Sequence, residues 1–192
     1  MDPDLPLIEA LQAGDDSALN ELIHRHREPL FHFVFRYLRD ETAARDVVQE
    51  TFVRVYFKAA KFTPKSAVKT WIYTIALNLC RDRARRLAKR RGDVSLDAPV
   101  GANAAPLEAP DNAPIPSARA IQADRFAALQ RAVDELPQKL KEALILFSIE
   151  ERSQKEVAEI LETTPKTIEL RVYHAKIQLR AALERDVSSG QI

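Results

Sequence analysis

Five prolines, Pro99, Pro106, Pro110, Pro114 and Pro116, fall within residues 92–118 among many alanines and four acidic residues, with no lysine or arginine. Proline removes backbone donors, and this stretch holds too little apolar surface to offset the entropy of ordering it, so it cannot be the core of a domain. It reads as a flexible acidic linker, and a plain spacer and a segment with its own binding job remain equally open. The chain is thereby divided into a block at 1–91 and a block at 119–192. With only four glycines, 46% hydrophobic and 30% charged residues, both blocks suit helices better than turn-rich sheets. The expected fold is all-α: two small helical domains joined by a Pro/Ala-rich linker.

The C-terminal block carries a helix-turn-helix pattern. Residues 153–161 form one short helix and 165–179 a second, with Glu162, Thr163 and Thr164 between them. Ser153 and Glu156 have the spacing of a capping box, and Thr164 followed by Pro165 repeats the start signal. In the second helix Ile168, Val172, Ala175 and Leu179 share one stripe, leaving Lys166, Thr167, Leu170, Arg171 and His174 to point outward. Such a helix suits a DNA major groove. A surface helical hairpin without a DNA role has the same pattern.

The N-terminal block reads as a helical bundle. Leu7, Ile8 and Leu11 mark a short helix stopped at Gly14; Leu19, Leu22 and Ile23 open a second that Leu30, Phe33, Val34, Tyr37 and Leu38 continue past a bend at Pro29. Asp40 is placed to cap the next helix, whose buried stripe is Val48, Phe52, Val55 and Tyr56. Its other face holds Asp46, Gln49, Glu50 and Arg54, where Glu50 and Arg54 can form a solvated i,i+4 pair. A loop at 62–68, broken by Pro64, precedes a helix that is apolar at Trp71, Ile72, Ile75, Ala76 and Leu79. That helix ends in Arg81, Arg83, Arg85, Arg86, Lys89, Arg90 and Arg91 against Asp82 alone. The basic stripe suits phosphate, and the nearby aromatics Phe62, Trp71 and Tyr73 suit unstacked bases. A core tryptophan beside a solubilising helix end fits the same residues.

Other chemistry is sparsely represented. His24, His26 and His32 lack the three- or four-residue spacing of ligands on one helix, so no metal or cofactor is expected. Cys80 has no cysteine partner and reads as a buried structural thiol. No nucleophile motif or glycine-rich phosphate loop is present, which argues against an enzyme. The start lacks a basic, apolar leader and no run reaches the roughly 20 residues that cross a bilayer, so the expected location is the cytoplasm, without membrane insertion.

The runs 46–54, 70–78 and Arg81-Asp82, together with Phe62, resemble the sigma-two domain of extracytoplasmic-function sigma factors of the sigma-70 family. Leu136-Pro137, Val157-Ala158, Thr167-Ile168, Arg171, Ala175 and Leu179-Arg180 are similar to their sigma-four domain. The resemblance implies a transcription initiation factor that gives RNA polymerase core its promoter choice. It implies that Asp46, Gln49, Glu50 and Arg54 dock on the clamp helices of the largest subunit, with the flap region as a further contact. The loop at 62–68, including Phe62, Lys65 and Ser66, with Trp71 and Asn78, would capture a flipped base of the minus-ten element. Arg81, Arg85 and Arg86 would hold the neighbouring backbone. Lys166, Thr167, Leu170, Arg171 and His174 would meet the minus-thirty-five duplex, the linker would thread toward the polymerase active centre and RNA exit path, and an anti-sigma partner would occlude both domains. The loop lacks the family's usual glycine, acidic residue and second aromatic, and Glu162 stands where a glycine is common. Glu169, Leu170 and His174 also depart from the pattern, so no promoter sequence follows.

Charge supports a subunit that leans on a larger machine. Residues 1–91 carry 17 Lys and Arg against 12 Asp and Glu, and residues 119–192 carry 12 against 12. That balance is too even for strong duplex binding alone. Opening on the order of ten base-pair steps costs roughly 14 kcal/mol at about 1.4 kcal/mol each. Capturing a base returns only about 1–3 kcal/mol. The competing readings are an autonomous helix-turn-helix regulator and, more remotely, a helical enzyme using the histidine stretch.

Overall fold

The computed structural model describes residues 2–92 and 118–188, and the expected flexible linker lies outside them. Among the described residues eight α-helices follow in order: α1 (Leu5–Gln12), α2 (Ser17–Leu38), α3 (Glu41–Ala59), α4 (Val68–Gly92), α5 (Ala118–Asp134), α6 (Gln138–Leu144), α7 (Gln154–Ile160) and α8 (Pro165–Ser188). A π-helical turn, Ile145–Ile149, prolongs α6. There is no strand among the described residues.

Local chemistry sets the helix ends. Gly14 takes a positive φ of 92° after α1, where a side chain would be strained. The Asp40 carboxylate accepts the Ala43 N–H at 2.9 Å and starts α3. Ser153 and Glu156 form both bonds of the capping box at α7. Thr164 Oγ1 accepts the Thr167 N–H at the start of α8, and Glu162 makes the intervening turn with φ of 50°. Pro29 lies inside α2, which continues past it to Leu38, as the apolar period implied. Leu22 and His26 before it and Leu30 and Phe33 after it stay buried, so packing on both sides offsets one missing backbone donor.

The first four helices close around Leu22, Leu30, Phe33, Val55, Ile72 and Leu77, each fully buried and worth roughly 1.5–3 kcal/mol. In the second block Ile168, Val172 and Ala175 of α8 are buried against their neighbours, as the stripe predicts. Tyr56 departs from expectation: it is 39% exposed. Its position on α3 is one step beyond the Val48–Phe52–Val55 stripe, and its hydroxyl pairs with Asp16 at the water edge.

The two blocks are not separate bodies in this structure. A continuous apolar cluster runs from the first four helices into Ile145, Leu146, Val157 and Ile168. Around it sits an ionic seam. Arg36 of α2 pairs with Glu150, Arg39 with Asp134 at 3.5 Å, and the Arg152 guanidinium lies 4.0 Å from the centre of the Tyr73 ring.

Candidate nucleic-acid interface

The third helix presents two different faces. Val47, Val48, Thr51, Phe52 and Val55 are inward, while Asp46, Gln49, Glu50, Val53, Arg54 and Phe57 follow the three- and four-residue spacing of the opposite side. Arg54 Nε donates to Glu50 at 2.8 Å, and Asp46 lies 3.8 Å from Arg83 of α4. Phe57 is 73% exposed and Val53 42%, inside this polar frame. Both were missed by the sequence reading, which attends to charge on the outer face. An aromatic at the same helical phase as Asp46 and Glu50 was the available signal. Exposed apolar surface framed by charge is the chemistry of a protein-binding patch.

The next surface begins where α3 hands over to α4. Phe62 and Trp71 pack with ring centroids 4.7 Å apart, which brings together two of the three aromatics the sequence nominated. Lys65 is exposed and Ser66 half-buried in the short loop. Trp71, Asn78 and Arg85 recur every seven residues and so share one face of α4. Asn78 and Arg85 are exposed, so this face offers a ring platform, an amide whose oxygen accepts from Arg81 at 3.3 Å, and a guanidinium along one line, with the exposed Arg86 beside it. Tyr73, in contrast, is 1% exposed and belongs to the core beside Phe33. The burial that raises its phenol pKa also puts the ring out of reach of a base.

Arg81 is not free in this arrangement. Its guanidinium grips Glu142 of α6 with two bonds, Nε to Oε1 at 2.9 Å and Nη2 to Oε2 at 2.7 Å. Tyr37 and Gln138 donate to the same carboxylate at 3.1 and 2.8 Å. Glu142 is 1% exposed. Burial opposes its charge, yet the hydrogen bonds from Arg81 and Gln138 and the charge of Arg81 outweigh it and hold the carboxyl below the usual range. Burial, reinforced by Glu142, pushes the Tyr37 phenol and the Cys80 thiol upward. Cys80 is therefore a shielded thiol, and His26 is spoken for by Asp4 at 2.8 Å. Among the described residues no cluster of three or more metal-ligating side chains occurs, and no helix is long and apolar enough to cross a membrane.

On α8, Lys166, Leu170 and His174 are exposed, and Thr167 and Arg171 are half-buried. Lys166 Nζ reaches Glu169 at 3.1 Å. Tyr173, 60% exposed and edge-on to His174 at 5.7 Å, joins them and was not nominated from sequence. Its offset of three from Leu170 is the signal that would have found it.

Comparison with known proteins covers both blocks of the chain. Residues 22–91 match Sigma-70 region 2, and residues 126–179 match Sigma-70, region 4. The RNA polymerase sigma-H factor of Pseudomonas aeruginosa is 25% identical over 181 residues, covering 94% of each chain. The ECF RNA polymerase sigma factor SigW of Bacillus subtilis is 27% identical, covering 92% of this chain and 94% of its own. A solved structure of CnrH in complex with the cytosolic domain of CnrY matches with a TM-score of 0.68 at 25% identity, over 95% of this chain and 98% of that one.

Proposed function

Because the chain belongs to the sigma-70 family, as an RNA polymerase sigma factor of the extracytoplasmic-function type, we propose a division of labour among its surfaces. The 1–91 domain docks on core polymerase through Asp46, Gln49, Glu50 and Arg54 of α3, with Val53 and Phe57 as the apolar centre, against the clamp helices of the largest subunit. Phe62, Lys65, Ser66, Trp71 and Asn78 capture the minus-ten strand, and Arg85 and Arg86 hold its backbone. The 119–192 domain sets Lys166, Thr167, Leu170, Arg171, Tyr173 and His174 on the minus-thirty-five duplex and meets the flap region of polymerase. Residues 92–118 are the linker between the two engagements. The protein works where RNA polymerase works, in the cytoplasm, and catalyses no reaction of its own.

The observation that carries this reading is the α3 face, since a solvent-facing phenylalanine framed by Asp46, Gln49 and Glu50 has no purpose inside the free chain. Arg81 joins the minus-ten surface only once Glu142 releases it, so the packed arrangement is a resting state and productive docking parts the domains. CnrH is bound by the cytosolic domain of CnrY in its solved complex. By that likeness an anti-sigma partner holds this chain in a comparable closed form. The test is core binding and promoter-dependent transcription by a variant carrying Asp46→Lys, Gln49→Lys and Glu50→Lys. Loss of both with an unchanged melting temperature supports the assignment, and full core affinity in the triple variant refutes it.

A further inference from the structure

We infer that the N-terminal segment, residues 2–16, is a brace that sets the conformation of the 60–67 loop, with Gln12 and Asp2 as positioning residues for minus-ten strand capture. The inference rests on the proposed role of that loop. It concerns a part of the chain that precedes residues 22–91, the span matched by Sigma-70 region 2.

Helix ends leave backbone groups unpaired, and a loop between two helices has them at both mouths. Here the groups on either side are claimed by side chains from one remote segment. At the exit of α3, Gln12 Nε2 donates to the carbonyls of Ala59 at 2.9 Å and Phe62 at 3.2 Å. At the entry of α4, the Asp2 carboxylate accepts the Val68 N–H at 2.6 Å, where a negative charge also suits the helix dipole. Asp16 meets the Tyr56 hydroxyl one turn before the exit.

The brace is itself anchored. Ile8 of α1 is fully buried in the core. Asp4 is buried between His26 at 2.8 Å and Arg25 at 3.1 Å, and its own N–H donates to Asp2 at 3.0 Å, which aims the second Asp2 oxygen at Val68. The loop's own backbone bonds are few and local, such as Lys65 N–H to the Thr63 carbonyl. Gln12 therefore fixes the Phe62 backbone, and with it the ring that packs on Trp71. A base-reading surface held in place from outside needs no glycine to shape it, which suits a loop that lacks one.

The test uses holoenzyme formed from core polymerase with the full chain, and a pool of single-stranded DNA randomised over six positions as probe. Gln12→Met keeps length, neutrality and helix propensity but removes the donor. It is expected to weaken binding of the preferred oligonucleotide about fivefold, the weight of one ordinary hydrogen bond, and to narrow base preference by the same factor. Core affinity and duplex minus-thirty-five binding should stay unchanged, and the melting temperature should fall by no more than about 2–4 °C, the cost of one ordinary hydrogen bond. Gln12→Lys restores a donor and should restore base preference, a readout that added charge alone does not move. If Phe62→Ala weakens capture while Gln12→Met leaves affinity and preference as in the parent, the brace is wrong. Gln12→Met and Gln12→Lys losing preference equally also overturns it. Should Phe62→Ala bind as the parent does, the loop assignment itself fails.

Discussion

Glu142→Ala should open the molecule. The carboxylate is 1% exposed and receives four hydrogen bonds, two of them from Arg81. Removing one partner of a buried ion pair costs about 3–5 kcal/mol. Arg81 keeps 30% of its side chain in water and can rehydrate, so the lower end of that range, about 3 kcal/mol, applies to the contact between the domains. The closed-to-open ratio then falls by roughly a hundredfold. Cys80, fully buried and the sole cysteine, neighbours Arg81 and feels the charge of Glu142, so it reports the opening. At pH 8 its alkylation rate should rise in proportion to the open population, and X-ray scattering should show a more extended particle. The charge swap Arg81→Glu with Glu142→Arg should return both toward the parent values. Unchanged alkylation and scattering in Glu142→Ala, or strictly additive effects of Arg81→Ala and Glu142→Ala, would contradict the reasoning.

Acidification should act on the same seam: the packed state holds the Glu142 carboxyl below its ordinary value of 4.5, so its contribution is complete above that value and lost as pH falls through the lowered one, and scattering should show expansion only below about pH 4.5. Phe57→Ala should weaken core binding about tenfold, as an exposed anchor does, while shifting the melting temperature by less than about 1 °C. Ser153→Ala removes the capping box of α7 and should cost about 1 kcal/mol, read as a melting temperature lower by about 2–4 °C.

What was legible in the sequence follows from range. Asp40, Ser153 and Thr164 act on amides three residues away, and the Ile168–Val172–Ala175 stripe repeats within two turns, so each could be read from neighbours alone. Glu142 could not, because its partners Tyr37 and Arg81 lie 105 and 61 residues away and a single glutamate on a short helix looks like any solvated one. How the two blocks meet was equally out of reach, because the apolar surfaces that join across the proline-rich stretch come from residues far apart in the chain. Phe57 and Tyr173 were hidden for a different reason: aromatic residues are counted inward by default, and only their helical phase shows otherwise.

Run-off transcription with purified core polymerase on a supercoiled template library, with and without this chain, addresses the central claim that it is a detachable specificity subunit with too little grip to open DNA alone. New start sites that need both proteins, with no footprint from the chain by itself at physiological salt, are the expected result. A tight footprint of the isolated chain on paired half-sites, indifferent to core polymerase, would contradict it.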